Sequence, residues 1–220
     1  MDYSSLIISL KTSVLATLLA FITGLFAASK VRKIKRFRGI TDGILILPMV
    51  LPPTVLGFFL LVILGKNSIM GRFLNIFNVN IIFSWAATVI AATVVAFPLM
   101  YRSTLSAFDD IDENIIYAAK TLRMNDLKIF WQIIFPNSLS GIMSGTILGF
   151  ARALGEFGAT MMIAGNIKGE TQTIPIAIYS AVQGGDKATA YNWTMVIMTI
   201  SFTMIIFMNY LNRHKNQKMR

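Results

Sequence analysis

The sequence predicts an all-α integral membrane protein of five transmembrane helices, N-terminus out and C-terminus in, with a helical loop on the cytoplasmic side. Three observations predict it. The 220-residue chain is 55% hydrophobic with a mean hydropathy of +0.65, whereas soluble domains hold ~45–50% apolar residues. Five apolar stretches stand out, at Ile7–Ala28, Gly43–Leu64, Ile81–Tyr101, Leu139–Ile163 and Trp193–Leu211. Each approaches the ~20 residues that cross ~30 Å of hydrocarbon. The third observation is that positive charge alternates by loop. Lys30, Arg32, Lys33, Lys35, Arg36 and Arg38 crowd the first loop, Arg102, Lys120, Arg123 and Lys128 the third, and Arg213, Lys215, Lys218 and Arg220 the tail. The alternate loops hold Lys66, Arg72, Lys168 and Lys187, so the bias is fourteen to four, and the richer side is cytoplasmic. The net charge of +10 is accounted for by topology, and no nucleic-acid partner is expected.

The first stretch carries its positive charges after the apolar run, the reverse of a secretory leader, so it is expected to remain as a span. The second contains Pro48, Pro52 and Pro53. Three prolines free backbone carbonyls and kink or unwind a helix, and in lipid such a break survives only where protein or water satisfies the freed groups. Two readings stand: a kinked packing helix, or a broken helix lining a transport path with Thr54 beside the prolines.

After the third stretch comes a polar segment, 109–136, that is long for a connection between spans. Asp112 is placed to cap a helix over Glu113–Leu122, and Asp126 a second over Leu127–Phe135 stopped by Pro136. Arg123-Met124-Asn125 forms the turn between them, with Asn125 the residue that tolerates a left-handed conformation. Two short helices on the positive side make a knob.

The fourth stretch carries Gly141, Gly145 and Gly149 at intervals of four. That stripe favours close helix packing in a membrane, within the chain or between two copies. Arg152 and Glu156 share a face of the same stretch and can pair, since an isolated charge at mid-bilayer costs roughly 2.5–3.5 kcal/mol. They read either as a structural ion pair or as a polar element at a pore, near Thr160. The loop at 165–190 is expected outside, with a short surface helix over 174–182 and a docking surface.

No cysteine is present, which removes disulfides and thiolate metal sites, and His214 sits alone in the basic tail. No catalytic constellation or metal-ligand spacing is present. Nor is there a Gly-x4-Gly-Lys-Ser/Thr phosphate loop, so ATP and Mg2+ are expected on a separate partner and no cofactor on this chain.

The 109–136 loop resembles the coupling loop of ABC-importer permeases, whose pattern is Glu-Ala-Ala, three residues, Gly, nine residues, Ile, one residue, Leu-Pro. Here the frame is Tyr117-Ala118-Ala119, Arg123, Ile133, Phe135 and Pro136. Tyr117 replaces the glutamate, with Glu113 one turn earlier, and Arg123 replaces the glycine. Three further segments are similar to molybdate-importer permeases: Leu47 to Gly57, Phe150 to Thr160, and Ala164 to Tyr179. Sulfate permeases share the Arg-Ala-Leu-Gly-Glu element, so a sulfate-type oxyanion permease is the alternative. An ATP-independent transporter fits less well, because Glu156 is the one acidic residue well inside a span.

The resemblance implies a single permease domain that forms the pore, usually as a homodimer. Its partners are then two ATP-binding subunits, an extracytoplasmic molybdate-binding protein and membrane lipid. It implies ATPase contacts at Glu113, Tyr117, Ala118, Ala119, Leu122, Arg123 and Pro136. Pore or gate candidates are Pro48, Pro52, Pro53, Thr54, Arg152, Glu156 and Thr160.

Overall fold

A computed structural model describes residues 3–34, 36–77 and 80–218, with side chains except at 74 and beyond 207. Of the cations that set the expected topology, Lys35 and Arg220 lie outside the described residues. The side chains of Arg213, Lys215 and Lys218, and of His214, also lie outside them. Among the described residues every regular element is helical. They are α1 (Ser4–Val31), α2 (Arg38–Val50), α3 (Pro53–Leu64), α4 (Ile69–Ile76), α5 (Trp85–Asp109), α6 (Glu113–Thr121), α7 (Asp126–Ile129), α8 (Phe135–Leu154), α9 (Gly158–Ala164), α10 (Ile174–Gln183) and α11 (Lys187–Lys218). Four helical runs are long and apolar enough to cross a membrane: α1, α5, Asp126–Leu154 and Lys187–Phe207. The pair α2 and α3 supplies a fifth if counted as one span, bent by 107°.

The packing inverts the soluble pattern. The inner face of α1 is small and polar, with Ser5, Ser9, Thr12, Ser13, Ala16, Ala20 and Gly24 buried. Its outer face presents Ile7, Val14, Leu18, Ile22 and Phe26. Lipid is as apolar as leucine, so burying large side chains brings no gain between helices; small residues do, by letting backbones approach. The hydroxyls of Ser13 and Thr17 donate to carbonyls four residues back, Ser9 O and Ser13 O, which satisfies them without partners outside the helix. Across the interface Trp85 Nε1 donates to Thr12 Oγ1 at 2.9 Å.

Helix α5 is the hub, packed against α1, α8, α9 and α2. The glycine stripe of α8 faces it within the same chain. A Cβ at Gly145 would come within 2.8 Å of Ser103 Cβ, and one at Gly141 would overlap Ala107, whereas Gly149 has ordinary clearance of 3.8 Å from Ala96 O. Ser103 Oγ donates to Gly141 O at 2.7 Å, a bond that only close backbones permit.

Four expectations need correction. The fourth stretch is not one helix to Ile163: α8 ends at Leu154 and α9 resumes at Gly158, because the carboxylate of Glu156 takes a backbone N–H of the second piece. Pro136 does not stop the second helix of the loop. A π-helical turn at Phe130–Ile134 moves aside the carbonyl that the proline ring would strike, Asn137 Nδ2 bonds Ile133 O at 2.7 Å, and the helix continues. The helices of the third and fifth apolar stretches, α5 and α11, begin at Trp85 and Lys187, not at Ile81 and Trp193. Segment 171–177 is inside, not a surface: Thr171, Gln172, Thr173, Ile174, Ile176 and Ala177 are buried. Ser5 Oγ donates to Gln172 Oε1 at 3.2 Å and Ser9 Oγ accepts the Ile174 N–H at 2.8 Å. Exposure in that loop is confined to 166–170, Tyr179 and a stretch beyond it.

Candidate functional site

The candidate site has two parts, an elbow inside the membrane and a knob beyond it. At the elbow, Leu51 (φ −68°, ψ 141°) and Pro52 (φ −54°, ψ 137°) are both extended. Each precedes a proline, and the ring of the next residue disfavours the helical region for both. Pro53 then starts α3, where its missing N–H matters least. The arms of 13 and 12 residues are each too short to span alone, so the span is broken and not merely kinked.

The elbow walls a cavity of about 250 Å3 lined by Pro48, Met49, Leu51, Pro53, Leu99 and Arg152 among others. Arg152 is its one charged lining group. Arg152 Nη1 lies 2.8 Å from Glu156 Oε2, and Glu156 is 2% exposed. The other carboxylate oxygen, Oε1, accepts the Ala159 N–H at 2.8 Å. One side chain thus joins the end of α8 to the start of α9, with the carboxylate at the positive end of α9. Both charges are satisfied: a buried carboxylate has two partners, and the arginine keeps part of its surface toward the cavity.

The other side of the elbow is held by close approach. A Cβ at Gly57 would fall 2.7 Å from Met162 Cβ and 2.9 Å from Ala159 Cα, and one at Gly158 would fall 2.8 Å from Pro53 Cβ. Hence α3 and α9, the second pieces of the two broken spans, lock together. Thr160 is buried on α9, whereas Pro52, just before α3, and Pro53 and Thr54 on it are exposed. The structure brings Pro48, Pro53 and Arg152 to one cavity, with Glu156 behind Arg152. It does not bring Pro52, Thr54 or Thr160 to that lining.

In the knob, Asp112 accepts the Asn114 N–H at 2.9 Å and caps α6. The second cap is Asn125, whose Oδ1 accepts the Lys128 N–H at 2.8 Å, and not Asp126. The turn belongs to Arg123, at φ 58°, and not to Asn125. Met124 N bonds Ala119 O at 3.2 Å and Arg123 N bonds Lys120 O at 2.9 Å, the paired bonds of a helix ending that prefers glycine at the left-handed residue.

Tyr117 Oη donates to Glu113 Oε2 at 3.3 Å. Ala119 is buried and Ala118 exposed. Ile115, Tyr117, Leu122, Leu127 and Trp131 all project apolar surface, while Pro136 lies exposed at the far end of the knob. An aromatic nest roots the knob in the body: Phe130 packs edge-on to buried Phe108 at 5.9 Å and against Phe135 at 6.3 Å.

Sequence reasoning missed an open groove of about 680 Å3 between α5 and α8, lined by Arg102, Ser103, Ser106, Asp109, Asn137 and Ser140 among others. Its residues come from 102–110 and 137–141, separated in sequence by the loop. The one prior signal was the run of small polar residues at each flank of that loop.

The family model described as "Binding-protein-dependent transport system inner membrane component" matches residues 20–220. The chain is 42% identical over 214 residues to the putative molybdenum transport system permease protein YvgM of Bacillus subtilis, covering 96% of this chain and 94% of that protein. It is 40% identical over 208 residues to the molybdenum transport system permease protein ModB of Escherichia coli K12, covering 93% and 90%. Among solved structures, a chain of a bacterial alginate ABC transporter superposes with a TM-score of 0.79 at 15% identity, covering 96% of this chain and 78% of that one. A chain of the inward-facing MetNI methionine ABC transporter superposes with a TM-score of 0.76 at 14% identity, covering 96% and 94%.

Proposed function

The chain belongs to the family of binding-protein-dependent transport system inner membrane components, and from that premise we propose that it is the pore-forming subunit of an ATP-driven importer of molybdate. It is a multi-pass protein of the cytoplasmic membrane. The substrate reading is supported by relatives of 40–42% identity named for molybdenum transport.

The observation that carries the mechanism is the knob. Five large apolar side chains, Ile115, Tyr117, Leu122, Leu127 and Trp131, are exposed on a short helical pair flanked by polar residues. Such a patch marks an interaction site, and here its occupant is an ATP-binding subunit. Two such subunits drive two copies of the permease. With the N-terminus outside, the knob is cytoplasmic. The exposed segment 166–170, on the opposite side, receives the binding protein.

The two roles divide between the two parts of the site. Tyr117 and Glu113 form one polar contact pair on the knob, in place of a lone carboxylate. Arg152 gives the elbow cavity a single positive group, and Glu156 neutralises much of it. An anion path needs that balance: an unpaired cation in a dry cavity holds a dianion too tightly for release. The groove between α5 and α8, rich in hydroxyl groups and lined by Arg102 as well as Asp109 and Asp110, is the cytoplasmic exit. Fixed positive charge is scarce along the way, so selectivity resides mainly in the binding protein. ATP and Mg2+ stay on the ATPase.

The test is ATP-driven uptake of labelled molybdate into vesicles containing the chain, its ATPase and its binding protein. Competition by tungstate and not by excess sulfate supports the reading. Competition by sulfate moves the substrate to a sulfate-type oxyanion, and no uptake by the assembled complex overturns it.

A further inference from the structure

A polar cluster outside both parts of the site ties one to the other. None of the residues of α2, all described, is buried, and its packing partners are α5 and, more weakly, α1. Polar contacts therefore carry much of the attachment of α2 to α5. At its start Arg38 pairs with Asp109, the last residue of α5 and three before the cap of the knob. One turn on, Asp42 accepts from two adjacent residues of α5: Tyr101 Oη at 2.9 Å and Arg102 Nη1 at 2.7 Å.

The Asp42 cluster is the better anchored of the two. Tyr101 is fully buried and its ring stacks on Phe97 at 5.9 Å with an interplanar angle of 11°, so one donor is rigid. The Asp42 side chain is 21% exposed, against 38% for Asp109; Arg102 is 59% exposed, so solvent screens that ion pair and the firmer hold is the bond from buried Tyr101. Farther along, Leu45 and Ile46 pack on the core cluster that includes Tyr101, and Pro48 and Met49 share the elbow cavity with Val95 and Leu99. Thus α2 runs antiparallel beside α5 from the root of the knob to the elbow.

We propose that Asp42 is a latch: it makes α2 follow the cytoplasmic end of α5, so that displacement of the knob reaches the Pro48–Pro53 elbow. The proposal rests on the ATP-driven importer reading. Asp42 is a positioning residue in it, touching no substrate.

The experiment uses the whole transporter in vesicles, permease with ATPase and binding protein. With Asp42→Ala, ATP hydrolysis persists while uptake per ATP falls by about tenfold or more, the loss expected for bonds to a charged group. Exchanging the charges, Asp42→Arg with Arg102→Asp, restores part of the coupling. A second readout needs no substrate. The chain has no cysteine, so Met49→Cys with Leu99→Cys places the permease's only thiols at the elbow cavity. Their cross-linking yield changes with ATP when Asp42 is present and stops changing in Asp42→Ala. If Asp42→Ala fails to assemble, Asp42→Asn carries both readouts, since it keeps the shape and loses the ion pair. Uptake and hydrolysis falling in equal proportion, or cross-linking that still responds to ATP, overturns the latch. ATP-dependent cross-linking without molybdate uptake in the parent chain leaves the latch standing and sinks the substrate reading.

Discussion

Two of the apolar spans are broken, and they are broken by different physics. Between α2 and α3 the cause is local: Pro52 and Pro53 impose extended backbone on Leu51 and Pro52. Between α8 and α9 the cause is a tertiary charge arrangement, in which Glu156 binds Arg152 on one side and the Ala159 N–H on the other. The first break is exposed and no residue of its leading arm is fully buried; the second centres on the buried Glu156. The proline elbow is set by ring sterics in its own segment, so its bend does not depend on a particular side-chain pair. A buried carboxylate needs both its partners at all times, so it holds its neighbours still. The two breaks meet where α3 packs on α9.

The contrast predicts opposite sensitivities. Glu156→Ala is the largest effect: it strands Arg152 and an N–H, costing about 3 kcal/mol, the low end for a broken buried pair because Arg152 is one-third exposed. Thermal unfolding in detergent and uptake both drop, whereas Glu156→Gln, which still accepts the Ala159 N–H, loses less of each. If Glu156→Ala matches the parent in both assays, the buried break is not held by charge.

Gly57→Ala comes next. Its methyl group meets Met162 and the Ala159 backbone below van der Waals distance, so overpacking by roughly 2 kcal/mol forces α3 off α9. Along the glycine stripe Gly149→Ala leaves thermal stability within about 0.5 kcal/mol, where neighbours are 3.8 Å away or more. Equal losses at Gly57 and Gly149 argue against the close approach.

Pro52→Ala sharpens the comparison from the other side. Stability changes by less than about 1 kcal/mol, since the residue is exposed. Uptake falls instead, because Leu51 is released to continue α2. A large loss of melting temperature with normal uptake would contradict an elbow set within its own segment.

The knob offers a third interruption, the smallest effect and of opposite sign. Arg123 holds φ 58°, which a non-glycine residue occupies at about 1 kcal/mol. Arg123→Gly therefore stabilises the permease by about that amount. A fall in melting temperature for Arg123→Gly means that the arginine side chain makes a contact worth more than its backbone strain.

Much of this was legible from residue order. Positions 117–119 and 112 announced a capped helix because capping is local, and the prolines announced the elbow because ring sterics reach only one residue. The turn was misplaced by two residues, at Asn125 instead of Arg123. Propensity ranks asparagine first for a left-handed site, yet hydrogen bonds back to Ala119 and Lys120 chose the position. Pro136 was misread for a related reason: a π-turn removes the clash that makes proline a helix stop, and nothing in the sequence alone signals that widened turn. The 171–177 segment read as surface because its start is polar. Its polarity is turned inward, matched by serines of α1 that lie some 165 residues away.

Composition and charge order by themselves determined a helical membrane protein with a polar knob, for these follow from transfer energies and local backbone rules that each residue carries with it. Tertiary structure alone decided that Arg152 faces the elbow, that the glycine stripe serves α5 of the same chain, and that Asp42 grips Tyr101 and Arg102. Those outcomes depend on which surfaces come within bonding distance, and in a membrane, where helices gain nothing from merely hiding apolar area, that choice rests on close packing and on polar pairs between segments remote in sequence.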